Sequence, residues 1–281
     1  MRLLGIAVGL AAVFASGCTP LGLLNAFVPR QGYEVERNLA FGPGDRQAVD
    51  LYKPDTPGPW PVLVFLYGGR WQSGDRRDYR FVGEAFASRG YLVVIPDTPL
   101  YPGVKYPAFL EDAARAVQWT HTHAAAHGGN PDKLFLMGHS SGAYNAAMLA
   151  LDERWLAGAG TSNAIIDGMV GLAGPYDFAP FEDADIQDLF GPREGWPATQ
   201  PIAHADADDP PVLLLQGQDD DVVKPGNATR LADRIRSLGG RAEVKLYDGI
   251  EHYKILTAIA PPLRGFAPVV EDAATFLKSL N

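Results

Sequence analysis

The sequence predicts an α/β protein built on one mostly parallel β-sheet with helices on both faces. Short, continuous apolar runs such as 61–67 and 91–95 are typical of strands that are covered on both faces. These runs alternate along the chain with helical patterns, which favours a doubly wound sheet over separate α and β domains. The chain has 281 residues, of which 47% are hydrophobic, so it can bury a sizeable core.

Each predicted element rests on a local pattern. The first two strands partly alternate apolar and polar residues around a Gly-Pro-Gly turn, which predicts an antiparallel hairpin ahead of the parallel strands. The later strands are short apolar runs, and the intervening helices carry apolar residues on one face. The predicted strands are 33–41, 47–52, 61–67, 91–95, 133–137, 167–172, 212–215 and 242–247. The predicted helices are 79–89, 108–126, 143–151, 226–238 and 268–280.

A serine lies at the centre of the most informative segment, Gly138-His-Ser-Ser-Gly142. The segment separates a predicted strand from a predicted helix, and it resembles the nucleophile elbow of α/β-hydrolases. Glycines two residues before and after the serine suit such a turn, because it is strained and leaves no room for flanking side chains. We therefore predict that Ser140 is a nucleophile at the C-terminal edge of the sheet, beside the first amides of a helix.

A serine hydroxyl needs a base to take its proton, and the base needs a third group to orient it. In this fold the acid follows the nucleophile along the chain and the histidine comes last. His252 lies in a predicted loop directly after the last strand and is the expected base. His204 is a weaker alternative, and His139 is too close to the nucleophile along the backbone to serve, so we expect it to pack locally.

Three consecutive carboxylates, at 219–221, follow the strand predicted over 212–215. Successive residues of a turn point in different directions, so only one of them can meet the imidazole. The spacing Gly217-x-x-Asp220-x-x-Val223-x-Pro225 favours Asp220 as the acid. Asp219 and Asp221 are then turn or solvent-facing groups.

The tetrahedral intermediate of acyl transfer also needs hydrogen-bond donors for its oxyanion. Tyr67-Gly-Gly-Arg-Trp71 directly follows the strand predicted over 61–67. Its two glycines leave backbone amides free to turn toward a substrate, and the amide of Ser141 comes directly after the nucleophile. We predict that Gly68, Gly69 and Ser141 form the oxyanion hole; the other interpretation of the glycine pair is a simple turn.

Together these motifs resemble the α/β-hydrolase esterase and lipase families. The most similar group contains hormone-sensitive-lipase-like carboxylesterases, kynurenine formamidase-like enzymes and acetyl esterases. The matching stretches occur in the family order at 64–75, 93–97, 101–102, 129–133, 138–142, 174–177, 217–225 and 251–252. The resemblance implies the α/β-hydrolase fold and a serine hydrolase with Ser140, Asp220 and His252 as nucleophile, acid and base. It also implies that the reaction needs no metal and no organic cofactor.

The sequence departs from the family at one position. The family usually has histidine before the paired glycines, where this chain has Tyr67. Because the glycine amides do the binding, we expect the oxyanion hole to survive with a different brace for its loop. Asp97 and Asp177 correspond to family positions that support loops.

The function that we favour is hydrolysis of short-chain carboxylic esters of small molecules. The segment 175–210 interrupts the strand–helix alternation and is expected to form a small lid, which leaves the site fairly open. Trp71, Tyr144 and Trp196 are expected to line the site, with ordinary packing as the other interpretation. Two alternatives stay open: an amide hydrolase of the arylformamidase type, and a non-catalytic lipoprotein that keeps the fold as a binding module.

The N-terminus predicts export and a lipid anchor. Residues 1–14 place one charge before a short apolar core, which is typical of a secretory signal and too short to be a clear membrane span. The stretch Ala15-Ser-Gly-Cys18 resembles a bacterial lipobox, and Cys18 is the only cysteine. We predict a signal peptide at 1–17, a tether at 18–32, a hydrolase domain at 33–281, and anchoring to a membrane of the bacterial cell envelope. The alternative is ordinary cleavage nearby that leaves an incidental thiol.

The net charge of −9 argues against a nucleic-acid partner, because no basic stripe is present. An acidic run lies within 182–188 of the lid. A solvated face explains that run better than a cation site. The sequence does not indicate an oligomeric state.

Overall fold

A computed structural model describes residues 20–281; the predicted signal peptide and Cys18 lie outside the described residues. Its strands are β1 (Tyr33–Ala40), β2 (Ala48–Pro54), β3 (Trp60–Leu66), β4 (Leu92–Pro96), β5 (Gly129–His139), β6 (Ile166–Leu172), β7 (Val212–Gly217) and β8 (Ala242–Tyr247). They form one sheet in the order β1-β2-β4-β3-β5-β6-β7-β8. Strand β2 pairs antiparallel with β1 and β4, and every other neighbouring pair is parallel. The predicted fold class, a mostly parallel sheet opened by a hairpin, is confirmed.

Helices cover both faces of this sheet. They are α1 (Pro20–Leu24), α2 (Arg80–Ala87), α3 (Ala108–His123), α4 (Ser141–Leu151), α5 (Arg154–Gly158), α6 (Ala184–Phe190), α7 (Gly226–Ser237), α8 (His252–Thr257) and α9 (Val269–Lys278). Short 3₁₀ segments add to them at 25–27, 76–79, 124–127, 163–165, 193–199, 201–203 and 261–266. Within residues 20–281, no helix combines the length and the apolar character needed to cross a membrane.

The central strands have side chains buried on both faces, as their continuous apolar sequences predict. Along β3, Leu63 and Phe65 point into the layer covered by α2 and α9, while Val62 and Val64 point into the layer covered by α3, α4 and α7. Successive residues of a strand face opposite sides of the sheet, so both layers require apolar residues. Full burial of each such side chain contributes about 1.5–3 kcal/mol.

The insertion at 175–210 forms a small cap with its own aromatic core. Helix α6 and the 3₁₀ segments that follow it pack against α3 and α4 through a third cluster of buried side chains. The cap contributes Phe181, Phe190 and Trp196 to this cluster, and the helices contribute Phe109 and Tyr144. The cap is therefore docked on the sheet domain along most of its length.

The structure differs from the sequence prediction at the segment expected to be a tether. Residues 20–32 pack on the domain: Val28 is buried in the core, and Leu21 and Leu24 lie against it. The side-chain amide of Asn25 donates to the backbone carbonyl of Arg77 at 3.0 Å. These contacts arise because the segment carries apolar residues that the composition of a flexible linker would lack.

A buried ion-pair network joins the N-terminal hairpin to the parallel part of the sheet. Arg76 is 7% exposed, and its Nε donates to Asp50 of β2 at 2.9 Å. Its Nη1 pairs with Asp97, which directly follows β4, and its backbone amide donates to the same carboxylate at 2.8 Å. Buried charges of this kind are tolerated only when each has its partner.

We predict that Arg76→Met lowers the free energy of unfolding by about 3–5 kcal/mol, because two buried carboxylates lose a counter-charge. The neighbouring Arg77 is the matched control, since it pairs with Asp75 but its side chain is 70% exposed. Arg77→Met should cost less than about 1 kcal/mol. Urea unfolding of both variants measures the difference, and equal losses would contradict a structural role for the buried network.

Candidate active site

Ser140 occupies the tight turn between β5 and α4. Its backbone has φ +53° and ψ −124°, a conformation that side-chain-bearing residues rarely adopt. Two backbone hydrogen bonds hold the turn: the Ser140 amide donates to the carbonyl of Leu172 at 2.9 Å, and the Tyr144 amide donates to the carbonyl of Ser140 at 3.1 Å. The turn holds Ser140 at the C-terminal edge of the sheet.

The flanking glycines are required because three backbone segments meet at this turn. A Cβ atom at Gly138 would lie 2.4 Å from the carbonyl oxygen of Gly142, and one at Gly142 would lie 2.0 Å from that of Leu66. A Cβ atom at Gly68 would lie 2.9 Å from the Cβ of Ser140. Any side chain at these positions would push β3, the turn and α4 apart.

The structure brings the three predicted side chains together in a hydrogen-bonded series. Ser140 Oγ lies 2.9 Å from His252 Nε2, and His252 Nδ1 lies 2.9 Å from Asp220 Oδ2. His252 and Asp220 are both almost fully buried. In this geometry the imidazole can take the serine proton while Nδ1–H stays bonded to the carboxylate. His252 is the first residue of α8, although the sequence predicted a loop there.

Asp220 is built to remain ionised. Its Oδ1 accepts from the backbone amides of Val222 at 3.0 Å and Val223 at 2.8 Å, and its Oδ2 accepts from Gln216 Nε2 at 2.9 Å. Burial by itself would raise the pKa of Asp220, but the hydrogen bonds from His252 and Val223 outweigh it and hold the pKa below its ordinary value. The neighbouring Asp219 and Asp221 are exposed.

The segment 67–76, called here the glycine loop, runs from the end of β3 past the nucleophile. Gly69 has φ +138°, and a Cβ atom there would lie 2.1 Å from the carbonyl oxygen of Ser73. Within residues 20–281, the amides of Gly68, Gly69 and Ser141 donate to no backbone or side-chain acceptor. Amides beside the nucleophile that no protein group occupies are the donors that an oxyanion hole needs.

A cavity of about 560 Å³ opens over Ser140, between the sheet domain and the cap. Its apolar lining includes Trp71, Phe178, Phe181 and Ile186. Two ion pairs at the rim join the cap to the sheet domain: Arg70 with Asp183 at 3.0 Å, and Arg230 with Asp177 at 2.5 Å. The backbone amide of Asp177 also donates to Asn227 at 2.9 Å, consistent with its expected role in supporting a loop.

Two of the three residues expected to line the site do not reach it. Trp71 lines the cavity and donates from Nε1 to Asn145 at 3.0 Å. Tyr144 is fully buried below the cap, with its hydroxyl donating to the carbonyl of Thr199 at 2.8 Å. Trp196 packs against Phe181 with ring centroids 4.5 Å apart, so it belongs to the core of the cap. Both aromatic rings gain more from burial between cap and sheet domain than from lining an open cleft.

The sequence analysis missed several apolar residues that line the cavity. Phe178 and Phe181 belong to the insertion, and Val222 and Val223 follow the acid. Their closeness to the insertion and to Asp220 is the one sequence feature that could have predicted them. Single apolar residues in irregular segments show no periodicity.

His139 contacts the backbone of His252, although its position in the sequence does not indicate this contact. Its Nε2–H donates to the backbone carbonyl of His252 at 3.0 Å, and the two rings lie 5.0 Å apart. Complete burial, and the neighbouring His252, lower the pKa of His139 to about 3. His139 is therefore neutral at ordinary pH. The alternative base, His204, is bonded instead to the carbonyl of Ala198 at 2.8 Å.

A family model and several curated relatives match most of the chain. The BD-FAE family model matches residues 49–235, more than half of the chain. A probable isoprenylcysteine alpha-carbonyl methylesterase, ICMEL1, of Arabidopsis thaliana is 27% identical over 93% of this chain and 60% of its own length. The probable carboxylic ester hydrolase LipM of Mycobacterium tuberculosis is 25% identical over 78% of this chain and 55% of its own length. The chain thus spans about three fifths of the length of these curated relatives.

Solved structures share the fold. A truncated carbohydrate esterase from gut microbiota superimposes with a TM-score of 0.80 at 19% identity, covering 90% of this chain and 98% of that one. Native esterase 2 of Thermogutta terrifontis gives a TM-score of 0.73 at 24% identity, covering 91% and 95%. The sheet order and these superpositions identify the fold as that of the α/β-hydrolases. Within that fold class, the chain belongs to the BD-FAE family.

We predict that His139 makes the folded protein less stable as the pH falls. Its pKa is about 3 when folded and about 6.5 when unfolded, so between these values the unfolded state binds more protons. Stability is then fully present above pH ~6.5 and is lost toward pH ~3, at up to about 1.4 kcal/mol per pH unit. Urea unfolding at several pH values in this window should show a shallower slope for His139→Gln. The exposed His123→Gln is the control, and a wild-type slope in His139→Gln would contradict the assignment.

Proposed function

We propose that this chain is a serine carboxylesterase that acts on short-chain esters. The observation that carries the proposal is the hydrogen-bonded series of Ser140, His252 and Asp220 at the base of a cavity. The naming of several curated relatives as ester hydrolases supports the same chemistry.

In the first half of the proposed reaction, Ser140 Oγ attacks the ester carbonyl carbon while His252 Nε2 takes the hydroxyl proton. The amides of Gly68, Gly69 and Ser141 donate to the oxyanion of the tetrahedral intermediate. As the intermediate collapses, the bond to the alcohol oxygen breaks and His252 returns its proton to that oxygen. Asp220 keeps the imidazole oriented and stabilises its charged form.

The second half repeats these steps with water as the nucleophile. The acyl group is now esterified to Ser140, and His252 takes a proton from a water molecule that attacks the acyl carbon. The second tetrahedral intermediate releases the carboxylic acid and restores the serine hydroxyl, with the proton passing through His252.

The proposed preference for short acyl chains is supported by the shape of the cavity. At about 560 Å³ it lies in the range of small-molecule sites. Trp71 and Phe178 form an aromatic wall, with ring centroids 6.4 Å apart, and the buried cap cluster lies directly behind them. A long acyl chain would have to displace this packed layer or lie across the charged rim.

We predict that the purified domain hydrolyses p-nitrophenyl esters, with turnover falling from acetate to laurate. Ser140→Ala should lower the rate of hydrolysis by at least about 10³-fold, because the acyl-enzyme can no longer form. Ser88→Ala, at the end of α2, is the control and should retain full activity. A folded protein with no turnover of any ester would contradict the proposal, and aryl formamides would then be the next substrates to test.

We further propose that the mature chain begins at a lipidated Cys18 and is held in the bacterial cell envelope. The proposal rests on the apolar leader and the lipobox-like Ala15-Ser-Gly-Cys18. One residue, Thr19, separates this cysteine from α1. A single acyl chain binds membranes only weakly, so stable anchoring requires the several chains of a lipoprotein.

When the full chain is expressed in a bacterial host fed an alkyne-tagged fatty acid, we expect the tag on the protein and the protein in the membrane fraction. Cys18→Ser should lose both, since the chain has no other thiol. Esterase assays on both fractions serve as the control, because the substitution leaves the folded domain untouched. A tagged Cys18→Ser protein, or an untagged wild type, would contradict lipidation at this residue.

A further inference from the structure

The glycine loop is strained and therefore needs a brace. Four of its residues adopt left-handed φ angles: +138° at Gly69, +55° at Arg70, +59° at Trp71 and +122° at Gly74. For the two residues that carry side chains, such conformations cost about 1–3 kcal/mol each and persist only where surrounding contacts enforce them. The contacts that hold this loop therefore decide where its amides point.

One guanidinium and one carboxylate hold both ends of the loop. At its start, the Tyr67 hydroxyl donates to Asp97 Oδ1 at 2.5 Å and accepts from Arg46 Nη2 at 2.8 Å. Toward its end, Arg46 Nη2 also donates to the carbonyl of Gly74 at 2.8 Å, and Asp97 Oδ1 accepts from the amide of Arg76 at 2.8 Å. Arg46 and Asp97 thus join the two ends through the hydroxyl of Tyr67.

The ring of Tyr67 adds packing to these bonds. It stacks on Tyr79 with centroids 5.0 Å apart and planes 9° from parallel. It also lies so close to Gly74 that a Cβ atom there would be 2.5 Å from the ring. Burial, followed by the nearby Asp97 charge, raises the pKa of Tyr67 well above its ordinary value, so the hydroxyl stays protonated and keeps its role as donor.

We propose that Tyr67 is a positioning residue for the reaction, whose hydroxyl fixes the glycine loop through Asp97 and Arg46 and so aims the amides of Gly68 and Gly69 at the oxyanion. The proposal rests on the esterase function proposed above. In this role Tyr67 would brace the loop at the position where the related families usually have histidine before the glycine pair. Tyr67 acts only through the loop, so its loss should weaken stabilisation of the oxyanion and leave ground-state binding of the ester intact.

The test compares Tyr67→Phe with Tyr247→Phe. Tyr247 is the matched control, because its hydroxyl donates to Asp272 at 2.7 Å, beside a lysine, in a part of the fold outside the glycine loop. We expect Tyr67→Phe to lower kcat for p-nitrophenyl acetate by about ten- to a hundred-fold with KM within about two-fold. Affinity for a trifluoromethyl ketone, which forms a tetrahedral oxyanion on Ser140, should fall by the same factor. Tyr247→Phe should change neither value, although both variants lose some thermal stability.

Hydrogen exchange separates this proposal from the esterase proposal. Amides of residues 67–76 should exchange faster in Tyr67→Phe than in wild type or Tyr247→Phe, whether or not the wild type hydrolyses esters. A wild type without turnover would therefore overturn the esterase function while exchange still tests the brace. If Tyr67→Phe does not fold, Arg46→Met tests the same brace, because its side chain is about a third exposed. Unchanged exchange, or a fall in kcat with no loss of ketone affinity, would overturn the positioning role.

Discussion

The whole site depends on the close approach of three backbone segments at Ser140. Because Gly142 has no Cβ, α4 can begin against the carbonyl of Leu66, and β3 and β5 therefore end side by side. This approach fixes the nucleophile relative to the glycine loop, because close-packed backbone segments leave no room for either to shift. Strands β7 and β8 run parallel to β5, so the residues that follow them, Asp220 and His252, reach the same edge of the sheet.

The charges around the site are arranged so that one positive charge can form at His252. Asp220 stays ionised because its oxygens accept three hydrogen bonds besides that from the imidazole. His139, whose ring lies 5.0 Å from that of His252, stays neutral because it is fully buried. A second imidazolium at that distance would oppose the first with little solvent to screen it. A neutral His139 therefore leaves the proposed proton transfer at His252 unopposed.

The sequence predicts those parts of the molecule that local pattern determines. The strands and most helices follow from apolar runs that a single segment contains. Ser140, Asp220 and His252 follow from short motifs taken in the order that the α/β-hydrolase resemblance implies. The sequence does not predict positions that depend on contacts between distant segments. Tyr144 and Trp196 are buried in the cluster between cap and sheet domain. The segment 20–32, expected to be a tether, packs on the domain through Val28. The contact between His139 and the carbonyl of His252 joins residues 113 positions apart, and no segment carries a signal for it.

The antiparallel hairpin at the edge of the sheet is part of the catalytic apparatus that we propose. Arg46, in the turn between β1 and β2, bonds to Tyr67 and Gly74, and Asp50 on β2 holds Arg76 at the end of the glycine loop. The same region also receives the N-terminal segment, since Asn25 donates to the carbonyls of Arg77 and Asp78 just beyond the loop. Under the lipidation proposed above, one residue, Thr19, would separate the anchored Cys18 from α1, which packs against the core through Leu21 and Leu24.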